Sequence, residues 1–426
     1  MLVVNNLKNI LLINIVDFES VIDKLNLSLM QFSAMKKFKE DGIGVDDLLK
    51  LIPDDLLLYL AFETNVDYQV KKLYGQNIFN LLLYGLLNGE RLGLRYLEDF
   101  YNSRKFKALF KLPGTKSVKY NSLSARLASM NVDFFEQAYE TIYEQCSLLY
   151  DESLLSLKYK ITRVDSTMVC ETATKLEQGI NVGRKKDGKK QIKYTISLTN
   201  MFPSSVEVFT KQNYISENLT IPKAILKVID KSQDNVFVFD RGVSSRDVFC
   251  DLDNKDCSFV TRLHVGARHV VVTEFNTPIG IVGRNLTVLK DQCVYLYKSG
   301  IKVVEQPFRL IQTQNEKGNI YWFLTNRFDL SCEEIIMIYK HRWDIEVFFR
   351  FIKQELNFSH FISVNENGIK ILLYMTLILA MLILIYKRIN EFGYKTAKRR
   401  FAMELGDIID DFMIEKSGGD PNTVFW

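Results

Sequence analysis

The chain offers little from which to build a disulfide frame or a zinc site. Its 426 residues include six cysteines, at 146, 170, 250, 257, 293 and 332, with no CxxC pair, and only four histidines. That spacing excludes a zinc knuckle and makes a reducing cytosol the default compartment. His264 and His269 stand five apart in a β-like stretch and form no metal motif. Excess charge of one sign is scarce too: at a net +4, any surface for a polyanion has to come from local clustering. The first apolar run follows no basic leader and precedes no small-residue cleavage site, so it does not read as a secretory signal. The longest apolar run, 371–386, has sixteen residues with Thr376 as its polar member, short of the ~20 that a bilayer requires. It reads as a buried core helix, with a membrane span as the alternative. Neither a P-loop nor a G-x-S-x-G or H-E-x-x-H motif is present, which removes nucleotide hydrolysis and the serine and zinc hydrolases.

What is present is the composition of a folded protein, 47% hydrophobic and 25% charged, in a chain long enough for two or three domains. Residues 1–155 read as a helical N-terminal region, with apolar residues at three and four spacing in "VDDLLKLIPDDLLLYLAF" and "IFNLLLYGLLNGERLGLRYLEDFY". Within it, 104–119 carries Arg104, Lys105, Lys107, Lys111, Lys116 and Lys119 with no acid, a candidate DNA contact or simply the face of an ordinary helical pair. From 157 the period changes to two. "LKYKITRVDSTMV", "KQIKYTISLTN" and "SSVEVFT" read as strands, and the basic loop "GRKKDGKK", 183–190, as a hairpin tip, its 184–190 part a candidate DNA contact. A helix fits 216–230, and "NVFVFDRG" is a buried strand that stops at Asp240. Short β-like pieces then fill 257–325 and read as a separate all-β insertion between 156–256 and 326–395, with 396–426 as a C-terminal tail.

The most unusual stretch is "YKHRWDIEVFFRFIK", 339–353. Read as one continuous helix, it gathers Tyr339, Arg342, Glu346, Arg350 and Lys353 on one stripe, opposite Ile345, Val347, Phe348, Phe349, Phe351 and Ile352. The stripe is ~21 Å long. It could follow a polyanionic backbone, or be a solvated face laced with pairs such as Glu346 with Arg350. Three acids stand out: Asp165 on the first strand, Asp240 at the end of a later one and Glu346 on the striped helix. Three carboxylates suit hard divalent cations, and a two-metal site suits phosphodiester displacement.

These residues resemble a known family, the bacterial insertion-sequence transposases of the DDE type, of the IS-four cut-and-paste group marked by Y-(2)-R-(3)-E-(6)-K. Here the signature is Tyr339, Arg342, Glu346 and Lys353, and "VDST" around Asp165 and "FDRG" around Asp240 resemble the family's other blocks. The resemblance covers roughly 115–390. It implies an α/β fold: a ribonuclease-H-like catalytic core interrupted by an all-β insertion and preceded by a helical DNA-binding region. It implies Asp165, Asp240 and Glu346 as catalytic and metal-binding residues for two Mg²⁺ ions, with Mn²⁺ as substitute. Tyr339, Arg342, Lys353 and Arg350 are then contacts to DNA, and Trp322 either stacks on a base or belongs to the core. The expected partners are double-stranded DNA, at the element ends and the target, and a second copy of the chain in the DNA complex, with no membrane. The expected place is the bacterial cytoplasm, in association with DNA. A relative that binds DNA without cutting is the alternative.

Overall fold

The computed structural model describes residues 42–88, 91–112, 117–149, 159–170, 176, 178–181, 190–229, 234–276, 281–282 and 285–424. It is a mixed α/β structure with one large sheet and helices packed on it. The expected helix content of 1–41 and most of the 184–190 loop lie outside the described residues.

The described residues begin with α1 (Val45–Leu49), α2 (Asp54–Glu63), α3 (Gly75–Asn88), α4 (Leu94–Asn102), α5 (Arg104–Leu109), α6 (Tyr120–Ser129) and α7 (Asp133–Leu149). The sheet follows: β1 (Lys160–Val169), β2 (Ile180–Asn181), β3 (Lys190–Thr199) and β4 (Phe202–Phe209), then α8 (Glu217–Lys227), β5 (Asn235–Val238) and α9 (Arg246–Asp253). Next come β6 (Ser258–Leu263), β7 (His269–Glu274), β8 (Ile281–Val282), β9 (Leu286–Ser299), β10 (Lys302–Val303), β11 (Phe308–Asn315) and β12 (Ile320–Thr325). The chain ends in α10 (Cys332–Lys340), α11 (Trp343–Glu355), α12 (Glu366–Ile389), α13 (Tyr394–Lys416) and α14 (Pro421–Val424).

Strand pairing decides where the functional residues meet. β1 runs antiparallel to β3, β3 to β4, while β1, β5 and β6 run parallel. All four residues of β5 are buried, the pattern of a central strand covered on both faces. The β-rich stretch 257–325 joins this sheet: β6 lies beside β5, and β12, β11 and β9 continue outward in antiparallel order. A buried ion pair, Arg309 with Asp291 at 2.7 Å, stitches β11 to β9, and Cys332 at the start of α10 donates to the same Asp291.

The apolar run is explained by position. Within α12 every residue from Ile371 to Tyr386 is buried, and the helix packs against α3, α6, α7, α13 and β4. Among the described residues α12 alone is long and apolar enough to cross a membrane, and the protein itself covers it.

The stretch 339–353 departs from one continuous helix. α10 is launched by a capping box, in which Ser331 and Glu334 each accept from the other's backbone N–H, and it ends at Lys340. There His341 bonds to Ile338, Arg342 to Tyr339 and Asp344 to His341, three-residue closures that tighten the chain into a 3₁₀-like turn before α11. Of the expected apolar arc on α11, Ile345, Phe348, Phe349, Phe351 and Ile352 are in the core, while Val347 is half-buried.

Candidate active site at the ends of the parallel strands

The register of β1 on β5 aligns Arg163 with Val238. Asp165 lies two residues further along β1 and Asp240 two residues past Val238, just beyond the end of β5, so the parallel register carries both acids toward the same edge of the sheet. Asp165 Oδ1 accepts the N–H of Ser166 at 2.7 Å, and Asp240 Oδ1 that of Gly242 at 2.6 Å. Thr261 on β6 donates to the carbonyls of Phe239 and Asp240, which fixes the chain as it leaves the sheet.

Helix α11 is laid over this edge by a buried cation. Arg163, 1% exposed, points from β1 and pairs with Asp344 at 3.2 Å in the first turn of α11. Glu346 lies two residues on, and its Oε1 sits 2.6 Å from Arg342 Nη2. The i,i+4 partner of Glu346 is therefore Arg342, where the sequence suggested Arg350, which is exposed. Lys353 reaches back to β1 and donates to Thr167 Oγ1, and the Arg342 guanidinium lies 5.8 Å from the Tyr339 ring centre. Arg342 Nε is buried with no hydrogen-bond partner.

The electrostatics tie these side chains into one neighbourhood. Burial pushes the Asp165 carboxyl up to about 6; the Ser166 N–H opposes this, and the charges of Asp240 and Glu346 add to it. Burial lowers the Lys353 ammonium, with Asp165 pulling the other way. For Arg342 burial acts downward, but the hydrogen bond to Glu346 prevails and the group is held above its ordinary value. Tyr339 is raised by burial, against Arg342, and it too feels Asp240.

Two residues that sequence reasoning missed stand in the same place. Glu217, the first residue of α8, is raised to about 7 by burial and by the charges of Asp240 and Asp165, with Lys193 opposing. Lys193 on β3 is buried and donates to the Ile215 carbonyl at 3.0 Å. An acid in a first helical turn is commonplace, so Glu217 carried no signal of its own. Trp322 on β12 pairs with Leu263 of β6. It is 9% exposed on β12, packed edge-on against His269 at 5.4 Å, with its indole nitrogen unpartnered.

Carboxylates converge at the strand ends, and a cradle that a Cβ at Gly242 would fill holds a carboxylate oxygen 1.6 Å from that point, so the donor types fit a hard cation. Among the described residues, no group of three or more His, Cys, Asp or Glu side chains is so placed that it could hold a metal ion as it stands.

A family profile for the transposase DDE domain matches residues 156–382, more than half of the chain. The chain belongs to the transposase DDE domain family. DDE domains generally use divalent metal ions. The DDE chain is 29% identical over 155 residues to y4zB of Sinorhizobium fredii, named as a transposase, covering 36% of this chain and 43% of that protein. It is 23% identical over 266 residues to the Geobacillus stearothermophilus protein named as transposase for insertion sequence element IS5377, covering 61% and 64%. A 55-residue match at 47% identity links it to the protein named for element IS4SA in Synechocystis, covering 13% and 16%. The matches thus span less than two thirds of each relative's length. Among solved structures, a piggyBac transposase synaptic complex with hairpin DNA aligns over 86% of this chain and 80% of that one at TM-score 0.43 and 10% identity.

Proposed function

We propose that this DDE domain chain is a DNA transposase that binds the ends of its insertion sequence, cleaves there and joins the ends to target DNA. The observation that carries the reading is the register that sets Asp165 beside Asp240, with Glu346 held over them by α11. The strand order β4-β3-β1-β5-β6, three antiparallel and then two joining in parallel, supports a ribonuclease-H-like core. The stretch 257–325 is read as its insertion, with its first strand β6 paired to β5 of the core, and the helices before β1 as its DNA-binding region.

Asp165, Asp240 and Glu346 would hold a pair of Mg²⁺ ions, with Mn²⁺ as substitute; bound ions supply Lewis acidity to an in-line phosphodiester displacement. The chain's own residues do the rest. Arg342 holds Glu346 by an ion pair and keeps a buried, unpartnered Nε beside the site, a donor suited to a phosphate oxygen. Lys353, moored on Thr167 beside Asp165, meets a phosphate as a point charge, with Tyr339 beside Arg342 and Arg350 exposed at the surface. Joining two ends calls for two copies of the chain.

The test is incubation of the full chain with linear DNA carrying the element's ends, in Mg²⁺ or EDTA. Cleavage is expected in Mg²⁺ only. Asp165→Asn, Asp240→Asn and Glu346→Gln should each remove it while end binding stays within about tenfold, because the acids serve chemistry more than docking. A variant cutting near the wild-type rate sinks that residue's role.

A further inference from the structure

We infer that Glu217 is a further carboxylate ligand of the divalent-cation site, and that residue 242 is glycine in order to admit it. The inference rests on the reading of Asp165, Asp240 and Glu346 as the acids of a DDE site.

Three sets of neighbours carry it. First, a Cβ built at Gly242 would lie 1.6 Å from Glu217 Oε2 and 2.8 Å from Asp240 Oδ1, so both carboxylates converge on the space that any side chain there would take. Gly242 is not among the glycines of positive φ, so close approach and not backbone conformation demands it. Second, Glu217 is hydrogen-bonded to the Asp240 carboxyl although a cation is at hand: Lys193, whose charge it feels, gives its Nζ to the Ile215 carbonyl. Third, the start of α8 is stitched to both acid-bearing elements. Asn218 Oδ1 accepts the N–H groups of Ser244 and Ser245 at 2.8 and 2.9 Å, in the loop that follows Asp240. On the other side, Thr220 Oγ1 lies 3.4 Å from Ser166 Oγ, next to Asp165. The helix is thereby fixed so that its first residue projects between the two strand ends. Such anchoring is what a ligand position requires, since an oxygen donor has to be held before the ion arrives.

The experiment is titration of the full chain with Mn²⁺, followed by the electron paramagnetic resonance signal of the free ion, on wild type, Glu217→Gln, Glu217→Asp, Gly242→Ala, Asp165→Asn and Asp240→Asn. Glu217→Gln is expected to weaken Mn²⁺ binding at least tenfold, Glu217→Asp to keep more of the affinity, and Gly242→Ala to mimic the loss by displacing the carboxylate. Melting curves in EDTA check that each variant is folded; if Glu217→Gln is not, Gly242→Ala and Glu217→Asp decide. Affinity within about twofold of wild type in the folded Glu217 and Gly242 variants, alongside a loss in Asp240→Asn, overturns the role of Glu217 alone. If Asp165→Asn and Asp240→Asn also bind Mn²⁺ as wild type does, the reading of the DDE acids falls with it.

Discussion

At the scale of single residues, the site stores like charge under partial burial, and pH should reveal it. Asp165 rises from an ordinary 3.8 to about 6 and Glu217 from 4.5 to about 7, both led by burial. A carboxyl whose pKa is raised by folding stabilises the fold below its unfolded pKa, and that stability is lost as pH climbs through the folded value. Without divalent ions, the melting temperature should therefore fall between about pH 4 and pH 7. Asp165→Asn escapes part of this and should be more stable than wild type at pH 8 by about 3 kcal/mol, with little difference near pH 4. Calorimetry in EDTA across that range is the check, and a flat wild-type profile counts against the buried charge. As candidate site residues, Asp165, Asp240 and Glu346 stand out in the sequence because each sits in a block of distinctive neighbours. Glu217 does not: its partner Asp240 is remote in sequence, and only the folded chain brings the two together.

At the scale of elements, α11 is the piece that strand patterns could not place. Its apolar arc was readable from spacing, and Phe348, 1% exposed, lies on it. The turn at His341 and Arg342 was not, because no Gly or Pro marks it; Asp344, just beyond it, pairs with Arg163 on β1. Asp344→Ala leaves a buried guanidinium unpaired and should cost about 3–5 kcal/mol in chemical denaturation; an effect under about 1 kcal/mol would mean that α11 is held by packing alone. Phe348→Ala should likewise cost about 3–5 kcal/mol. Lys353→Ala should do the opposite, leaving the melting temperature nearly unchanged while end cleavage drops about tenfold or more, about 1.4 kcal/mol in the transition state. Paired melting and cleavage measurements on these two variants separate a phosphate-gripping face from a solvated one.

At the scale of the whole molecule, the division into helical, mixed and β-rich stretches could be read from periodicity, whereas the continuity of one sheet through β6 and β12 could not, since pairing between strands leaves no mark on local pattern. The basic stretch before the sheet is also partly spent inside the chain: Lys105 pairs with Asp410 and Lys119 with Glu98. Replacing Lys107 and Lys111 by glutamine should weaken DNA binding and reduce its log–log salt slope by about one for each phosphate no longer neutralised; an unchanged slope in a binding titration moves the DNA-facing surface elsewhere. The covered helix α12 has a consequence for biosynthesis. Of its partners, α3, α6, α7 and β4 leave the ribosome before it does and only α13 follows, so most of a receptive groove can precede the most lipid-like segment of the chain. A reporter carrying Glu366–Ile389 alone should float with membranes in a density gradient, while the same segment preceded by residues 42–365 should stay with the unbound fraction. Order of synthesis would then act as a sorting signal, and equal flotation of the two fusions would remove it.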